Sequence, residues 1–458
     1  MTALWTSEAI AVATGGMVSA PFSVNGVAFD SREVQQGDLF VAMRGENTDG
    51  NKFIDGALAA GASGVLCEIA VDAPHVQVPD AAEALVALGR ASRERCAGRI
   101  IGVTGSVGKT GTKEALYAAL ERHRPGRAHR SVKSYNNHTG VPLSLARMPA
   151  RTGFGVFEMG MNHAGEIAAL TRQVRPHIAV ITTIAPAHIE NLGSIEAIAD
   201  AKAEIFEGLE PGGIAILPFD SPHFARLRMA AATVGASIVS FGLGEGADVR
   251  ALDWLADGHG GTIVTAAVHD HLLCFTLSQT GEHWVANSMA VLAAVKAAGG
   301  DLAAAGLALA ELEGLAGRGA RHRIVRNDGE ITLIDESYNA NPASMAATLR
   351  ELGAHQGARR IAVLGSMKEL GEHSDRYHAE LADPLMQAGA DFALLVGAEM
   401  APLAKALEGR IKFAHVAHAA AAEAILAETA RAGDVILIKG SNSVGLSRLV
   451  AAMTGGEL

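Results

Sequence analysis

Residues 102–110 read Gly-Val-Thr-Gly-Ser-Val-Gly-Lys-Thr and have the residue types of a phosphate-binding loop. Glycines let backbone N–H groups converge on phosphate oxygens, and a helix that starts at the loop adds unpaired donors and partial positive charge. Lys109 would serve the β- and γ-phosphates of a nucleotide, and the Thr110 hydroxyl can ligate Mg²⁺. The strict phosphate-loop motif has glycine at the position of Val103, so Thr104 and Gly105 must make the first turn of the loop. A glycine-rich turn without a nucleotide is the alternative, and the flanking strand and helix favour the phosphate loop.

Two further side chains follow strands of the same predicted sheet. Glu158 ends the strand 155–158, and His188 comes shortly after the strand 178–182. Open parallel sheets bind ligands at the carboxyl ends of their strands. Glu158 fits the acidic residue that helps to hold nucleotide magnesium. Alone, Glu158 is equally compatible with a structural role, and a lone histidine is more often not a ligand, but together with the loop they favour a site.

The elements that must position these residues form three groups along the chain. The first is a small α/β module over residues 1–80, with strands at 27–29, 39–42 and 65–67 and a helix at 53–60. Ser31 and Arg32 follow its first strand and could bind a phosphate or a uracil edge. A surface turn explains them equally well.

The second group, residues 81–317, holds the phosphate loop between a strand at 99–101 and a helix at 111–120. Its other predicted strands are 155–158, 178–182, 214–217 and 238–241, with an antiparallel pair over 264–277, and its other helices are 81–97, 194–209, 281–298 and 299–317. Residues 122–130 are expected to be a solvated connection and residues 134–143 a polar loop. Lys202 lies on the helix 194–209, where most lysines are simply solvated.

The third group, residues 318–458, alternates strands and helices again. Its predicted strands are 331–335, 360–364, 392–396 and 435–439. An Asn-rich loop, residues 335–342, follows the first of them, a placement that suits recognition of a small molecule. The predicted fold class is therefore α/β, with a small N-terminal module, a central parallel sheet of the phosphate-loop type and a C-terminal dinucleotide-fold-like domain.

Composition narrows the class of protein. The 458 residues carry a formal net charge of −11, which makes a general nucleic-acid surface improbable on physical grounds. Three widely spaced cysteines form neither a disulfide framework nor a zinc motif, as expected in a reducing cytoplasm. The first 20 residues have no basic segment of a signal peptide, and no apolar run is long enough to insert in a membrane.

Four stretches resemble the Mur ligase family, the ATP-dependent amide ligases of peptidoglycan precursor synthesis. The family loop Thr-Gly-Thr/Ser-x-Gly-Lys-Thr matches Thr104, Gly105, Ser106, Val107, Gly108, Lys109 and Thr110. The Asp-Ser-Arg of residues 30–32 resembles the family's UDP-sugar module. The stretches 136–143 and 337–345 are similar to the branch that joins D-alanyl-D-alanine to UDP-N-acetylmuramoyl-tripeptide. The Asp-Asn-Pro-Arg of the diaminopimelate-adding branch is absent from the sequence.

The resemblance implies roles for the matching residues. Thr110 and Glu158 would hold one Mg²⁺, His188 would bind a second, and Lys202 would be the family lysine that is often carbamylated. Asn287 would contact the adenine of ATP, and Asp335 would contact its ribose. Arg318 would lie near the nucleotide. The substrates would be bound by Ser31, Arg32, Asn136, Asn137, Tyr338, Asn339 and Asn341.

The implied reaction forms an acyl phosphate from ATP and the tripeptide carboxylate, which the dipeptide amine then attacks. A cytoplasmic monomer is expected, with its C-terminal domain closing on the central one. Asn51, Ser366 and Asn442 depart from the family's usual residues at their positions. Two alternatives stay open: a ligase similar to folylpolyglutamate synthase, and a nucleotide-gated switch that needs only the loop and magnesium.

Overall fold

The computed structural model describes residues 3–45, 48–257, 260–326, 329–355 and 357–455, and the elements below are formed by these residues. These elements form three α/β domains, as the sequence predicts. None of the helices formed by these residues has the length and apolar character needed to cross a lipid bilayer.

The N-terminal elements surround a five-stranded sheet with the order β2-β7-β6-β5-β4, beside a two-stranded ribbon of β1 and β3. The elements are β1 Trp5–Thr6, α1 Ser7–Thr14, β2 Met17–Val18, β3 Ser23–Val24, β4 Gly26–Ala28, β5 Asp38–Val41, α2 Ile54–Ala59, β6 Gly64–Cys67, β7 His75–Gln77 and α3 Ala81–Arg95. Strands β4 to β7 are parallel, and most of their residues are buried, as is usual for parallel strands.

The central elements form a nine-stranded sheet with the order β16-β15-β14-β13-β12-β11-β8-β10-β9. They are β8 Arg99–Thr104, α4 Lys109–His123, β9 Ala128–Arg130, α5 Gly140–Ala146, β10 Phe154–Glu158, α6 Glu166–Val174, β11 Ile178–Ile181, α7 Ile189–Leu192, α8 Ile195–Ala203, β12 Ile214–Pro218, α9 Phe224–Thr233, β13 Ser237–Gly242, β14 Val249–Ala256, β15 Thr262–Val268, β16 His271–Leu277, α10 Glu282–Ala297 and α11 Leu302–Ala310. Strand β8 lies between β10 and β11, so the phosphate loop adjoins the ends of both.

The C-terminal elements form a six-stranded sheet with the order β17-β18-β22-β19-β20-β21, antiparallel only at β17. They are β17 Ala320–Arg326, β18 Gly329–Glu336, α12 Pro342–Ala354, β19 Arg359–Gly365, α13 Ser374–Ala379, α14 Ala382–Gln387, β20 Phe392–Val396, α15 Ala401–Leu407, β21 Lys412–Val416, α16 Ala419–Thr429, β22 Asp434–Lys439 and α17 Ser447–Thr454. One buried apolar cluster contains residues of both the central and the C-terminal sheet, which packs the two domains together.

Several predicted elements need correction. The connection 122–130 ends in the edge strand β9, and the polar loop 134–143 gives way at residue 140 to α5, whose residues are all buried. The helix expected over 299–317 ends at Ala310, and the helix 194–209 continues beyond Ala203 only as a 3-10 turn. Helix α6 and strand β14 were not predicted.

Candidate active site

The phosphate loop is shaped by two glycines with left-handed backbone. Gly105 has φ +148° and Gly108 has φ +87°, and Gly108 directly precedes helix α4. A Cβ at Gly105 would lie 1.9 Å from Thr182 Oγ1, and one at Gly108 would lie 2.8 Å from Asn287 Nδ2. Only glycine fits at these points, because both the backbone angle and the close approach exclude a side chain.

Lys109 begins helix α4 and folds back over the loop. Its Nζ donates a hydrogen bond to Gly105 O at 2.7 Å. Burial lowers the pKa of Lys109, Glu158 opposes this effect, and Arg318 adds to it. The positive charge of Lys109 is thus only partly balanced within the protein. A phosphate oxygen bound at this point would supply the missing negative charge.

Glu158 ends strand β10 with its carboxylate buried beside the loop. Its Oε2 accepts a hydrogen bond from Thr110 Oγ1 at 2.9 Å, and its Oε1 accepts one from Asn136 Nδ2 at 2.7 Å. Lys113 Nζ lies 4.0 Å from Oε2. Thr110 and Glu158, which the resemblance assigns to one Mg²⁺, therefore lie in direct contact.

His188 follows β11 and points to the C-terminal domain. Its Nδ1 contacts a carboxylate oxygen of Glu369, and this contact lowers the pKa of Glu369, although burial opposes it. Within the described ranges, no group of three or more His, Cys, Asp and Glu residues is arranged to hold a metal ion. The structure thus gives His188 a carboxylate partner from another domain, and its metal role stays a prediction.

Lys202 is buried in helix α8, with only 1% of its surface exposed. Burial and the nearby charge of Lys109 hold the pKa of Lys202 well below its usual value, while Glu204 acts in the opposite direction. This environment favours the neutral amine, so the sequence-based view of a merely solvated lysine is wrong.

A cavity of about 880 Å³ joins the phosphate loop to the C-terminal domain. Its lining includes thirteen of the residues proposed from the sequence: Ser106, Val107, Gly108, Lys109, Asn136, Asn137, Glu158, His188, Asn287, Arg318, Tyr338, Asn339 and Asn341. The lining does not include Thr104, Gly105, Thr110, Lys202, Asp335, Ser31 or Arg32. The nucleotide loop and the Asn-rich loop therefore face one space.

The linker between the domains is held at this cavity by Arg318. Its guanidinium lies 4.2 Å from the centre of the Tyr338 ring, and its Nη2 donates to Ser134 Oγ at 3.2 Å. Asp335 is buried, and its two oxygens accept hydrogen bonds from Gly317 N at 2.7 Å and Ser337 N at 3.0 Å. Asp335 thus fixes the linker, and its predicted ribose contact stays a prediction.

The Asn-rich loop is ordered by its own side chains and by a buried lysine. Asn341 caps helix α12, where its Oδ1 accepts a hydrogen bond from Ser344 N at 2.9 Å. Lys439 Nζ donates to Asn339 O at 2.9 Å and to Glu336 Oε2 at 3.1 Å. Tyr338, at 40% exposure, is free to contact a bound molecule.

Ser31 and Arg32 lie on a short 3-10 turn away from the cavity. The Arg32 side chain is 86% exposed, and its guanidinium forms a bidentate contact with Asp30. The neighbouring Glu33 accepts hydrogen bonds from Tyr135 Oη, at 2.8 Å, and from Lys133 Nζ. This turn is therefore connected to the site through residues 133–135.

Sequence reasoning missed several charged residues in or beside the site, and three of them contact residues that it did propose. They are Lys113, Glu369 and Lys439, which contact Glu158, His188 and Asn339 respectively. Only Lys113 carried a signal, because it follows Lys109 by one helical turn and therefore shares its face. The other two come from distant loops that only the tertiary fold brings near.

Comparison with known proteins covers nearly the whole chain. The Mur ligase family, catalytic domain, matches residues 23–97; the Mur ligase middle domain matches residues 103–295; and the Mur ligase, glutamate ligase domain, matches residues 320–442. The chain belongs to the Mur ligase family. This Mur ligase is 33% identical over 438 residues to the UDP-N-acetylmuramoyl-tripeptide–D-alanyl-D-alanine ligase of Bacillus subtilis, covering 93% of this chain and 92% of that protein.

Solved structures agree with this assignment. MurF from Acinetobacter baumannii superposes on this Mur ligase with a TM-score of 0.84 at 30% identity, covering 98% and 99% of the two chains. MurF from Thermotoga maritima, solved with ADP, gives 0.78 at 29% identity and covers 94% and 98%. Escherichia coli FolC, with DHPP and ADP, gives 0.61 at 19% identity over 80% and 92%, which shows a shared fold alone.

Proposed function

We propose that this Mur ligase is a cytoplasmic, ATP-dependent amide ligase that adds D-alanyl-D-alanine to UDP-N-acetylmuramoyl-tripeptide. The products are the pentapeptide precursor of peptidoglycan, ADP and phosphate. The observation that carries the proposal is the cavity that the phosphate loop shares with the Asn-rich loop. The near-full-length similarity to ligases with this activity supports the choice of substrates.

The nucleotide is assigned to the loop of residues 104–110. Backbone N–H groups of the loop and of the first turn of α4 bind its phosphates, and Lys109 binds the β- and γ-phosphate oxygens. Asn287 touches the loop at Gly108 and also faces the cavity, which suits a contact with the adenine. Arg318 and Asp335 complete the nucleotide site from the linker side.

Magnesium fits the oxygen atoms of Thr110 and Glu158. A hydroxyl and a carboxylate that already touch each other supply two hard oxygen ligands, and Mg²⁺ commonly takes one or two protein oxygens plus phosphate and water. When bound, the ion neutralises charge on the transferring phosphoryl group. His188 is the proposed ligand of a second ion through Nε2, because its Nδ1 contacts Glu369 and a carboxylate at that position commonly orients a metal-binding imidazole.

Lys202 is proposed to be carbamylated. A neutral lysine amine attacks the carbon of CO₂ and loses one proton, which leaves an anionic carbamate. The buried site with its lowered pKa supplies that neutral amine. The resulting anion would lie beside the cation of Lys109 and would orient it or a metal ion.

The proposed ligation reaction has two steps. An oxygen of the tripeptide carboxylate attacks the γ-phosphorus, the bond to the β-phosphate oxygen breaks, and ADP leaves. Lys109 and the loop donors stabilise the charge that moves on to ADP. The dipeptide amine then attacks the acyl carbon, phosphate leaves with the bonding electron pair, and the nitrogen loses a proton.

The remaining residues are assigned to the two other substrates. Tyr338, Asn339 and Asn341 project from the C-terminal domain and suit the incoming dipeptide. Asn136 and Asn137 lie between this loop and the central sheet and suit the muramyl peptide. Ser31 and Arg32 are proposed for the UDP moiety, and the exposed Arg32 guanidinium is accessible to a phosphate.

The two alternative functions receive less support. A nucleotide-gated switch needs only the loop and its magnesium ligands, and it gives no role to the Asn-rich loop. A folate ligase would share the fold, but the similarity to FolC is too low to carry a substrate. Neither alternative is favoured by a particular contact in this chain.

Phosphate release under defined substrate mixtures tests the proposal. Purified protein with ATP and Mg²⁺ receives UDP-N-acetylmuramoyl-tripeptide, D-alanyl-D-alanine, both or neither, and mass spectrometry identifies the product. We expect full turnover and a pentapeptide product only with both. Phosphate release that is indifferent to both substrates would instead support the switch, and turnover with folate and glutamate would support the folate ligase.

A further inference from the structure

Lys113 is a buried lysine one turn after the phosphate-loop lysine, and the reaction described above does not use it. Its side chain is fully buried in helix α4. Its Nζ donates to Ser131 O at 2.9 Å and to Lys133 O at 2.5 Å, and it contacts Glu114 Oε1 at 2.9 Å. An ammonium has three N–H donors, so all three are occupied.

The fourth neighbour of this ammonium is Glu158, 4.0 Å away. At that distance the two charges attract strongly, because the pair is shielded from water. Glu158 is the carboxylate that also contacts Thr110 of the phosphate loop. Lys113 therefore connects the helix that follows the loop with the proposed magnesium ligand.

The same lysine fixes the segment that leads to the substrate side. Residues 131–133 are held through their carbonyl groups, and Lys133 adopts a left-handed φ of +52° that a lysine rarely takes. Further along, Asn136 donates to Glu158 through its side chain and accepts from Gly160 N at 2.8 Å. Tyr135 reaches Glu33 of the N-terminal module.

We propose that Lys113 is a positioning residue that couples nucleotide binding to binding of the UDP-linked substrate. It does so by tying helix α4, Glu158 and residues 131–133 into one rigid unit. The inference rests on the proposed function, because it assigns the nucleotide to one end of this unit and the muramyl peptide to the other. An interaction of this kind makes each ligand raise the affinity of the other by the same factor.

Calorimetric titration of UDP-N-acetylmuramoyl-tripeptide, with and without a non-hydrolysable ATP analogue and Mg²⁺, measures that factor. We expect the analogue to tighten tripeptide binding by about tenfold in the wild type, within the usual range for coupled sites. In Lys113→Met the factor falls below about twofold, while each ligand alone binds within about threefold of the wild type. A merely structural lysine would leave the factor unchanged.

Glu114→Gln is the matched control. It removes the other carboxylate that contacts Lys113 and leaves Glu158 in place, so the coupling should persist. Should Lys113→Met fail to fold, Lys113→Arg keeps the charge but presents a planar fork that does not reproduce the three contacts, and it should also lose the coupling.

Three outcomes separate the possibilities. Unchanged coupling in the folded Lys113 variant would overturn the inference, and so would loss of coupling in Glu114→Gln alone. A wild type that binds both ligands independently would overturn it while leaving the proposed function intact. A wild type that does not bind the tripeptide at all would overturn the proposed function and, with it, this inference.

Discussion

The side chains of His188 of the central domain and Glu369 of the C-terminal domain are in contact, and both residues have left-handed backbone, with φ of +60° and +62°. Neither is glycine, so each conformation costs about 1–2 kcal/mol. The backbone of the same segment adds a hydrogen bond from Glu190 N to Glu369 O at 3.3 Å. Two strained residues thus meet where the domains meet, and both line the cavity.

This contact predicts a measurable effect on domain closure. Small-angle scattering should show a smaller radius of gyration when an ATP analogue and UDP-N-acetylmuramoyl-tripeptide are added. With His188 protonated, a partly exposed pair of this kind contributes about 0.2–1 kcal/mol, so Glu369→Gln should raise the ligand concentration needed for compaction by up to about fivefold. The exposed neighbour Glu372 provides the control variant Glu372→Gln, which should behave as the wild type. No compaction in the wild type would count against closure.

Lys109→Ala should abolish ligation and leave the fold intact. Among the described residues, its Nζ donates a hydrogen bond to Gly105 O, so loss of the side chain removes a charge held over the phosphate loop. We expect phosphate release to fall by at least about 100-fold. The melting temperature should stay close to that of the wild type. Near-normal activity would refute the role assigned to Lys109.

Gly108→Ala should disrupt nucleotide binding. The new Cβ would combine a left-handed backbone with a 2.8 Å approach to Asn287 Nδ2, and Asn287 is the proposed adenine contact. Gly126→Ala is the matched control, because Gly126 has a similar φ of +72° and nothing within 4 Å of the added Cβ. Both variants should lose about 1 kcal/mol of stability, and only Gly108→Ala should raise the KM for ATP. Equal KM values for ATP in the two variants would show that the phosphate loop accommodates a Cβ at residue 108.

The phosphate loop and its neighbours could be read from the sequence, while the contacts between domains could not. A glycine loop between a strand and a helix is a local sequence pattern, and so is a carboxylate at a strand end. For this reason the sequence alone predicts Lys109 and Glu158 as site residues. Helix α5 was not predicted, because its Gly-Val-Pro start is typical of a turn. Only its packing against α3 in the structure shows that the segment is a helix. Lys202 lies near the charge of Lys109, and only the tertiary fold brings these two lysines together.

Lys202 should take up CO₂. Incubation with ¹³C-bicarbonate should give a carbamate carbon signal in the NMR spectrum of the wild type, and Lys202→Ala should lack it. Because burial and the charge of Lys109 lower its pKa, Lys202 should have a larger fraction of reactive neutral amine than an ordinary solvated lysine. Depleting CO₂ should lower turnover, and bicarbonate should restore it. A wild type without the signal and insensitive to CO₂ would contradict the assignment.

Glu351 should stabilise the chain in a pH-dependent manner. Burial acts to raise its pKa, but His355, the charge of His283, the Thr280 hydroxyl and Arg321 outweigh it and lower the pKa of Glu351 to about 2. A depressed carboxyl pKa stabilises the folded state above the unfolded value of 4.5 and ceases to do so as pH falls through 2. The shift corresponds to about 3 kcal/mol at pH 7.

Urea unfolding of Glu351→Gln measures this contribution. The variant should be less stable than the wild type by about 3 kcal/mol at pH 7, and the difference should shrink to about half or less by pH 3. Glu428→Gln, at an exposed position on α16, should show no such difference at either pH. Because Glu351 on α12 contacts Thr280 of the central domain, the lost stability should appear as earlier separation of the C-terminal domain. A difference that is independent of pH would mean that packing, rather than the carboxylate charge, holds this contact.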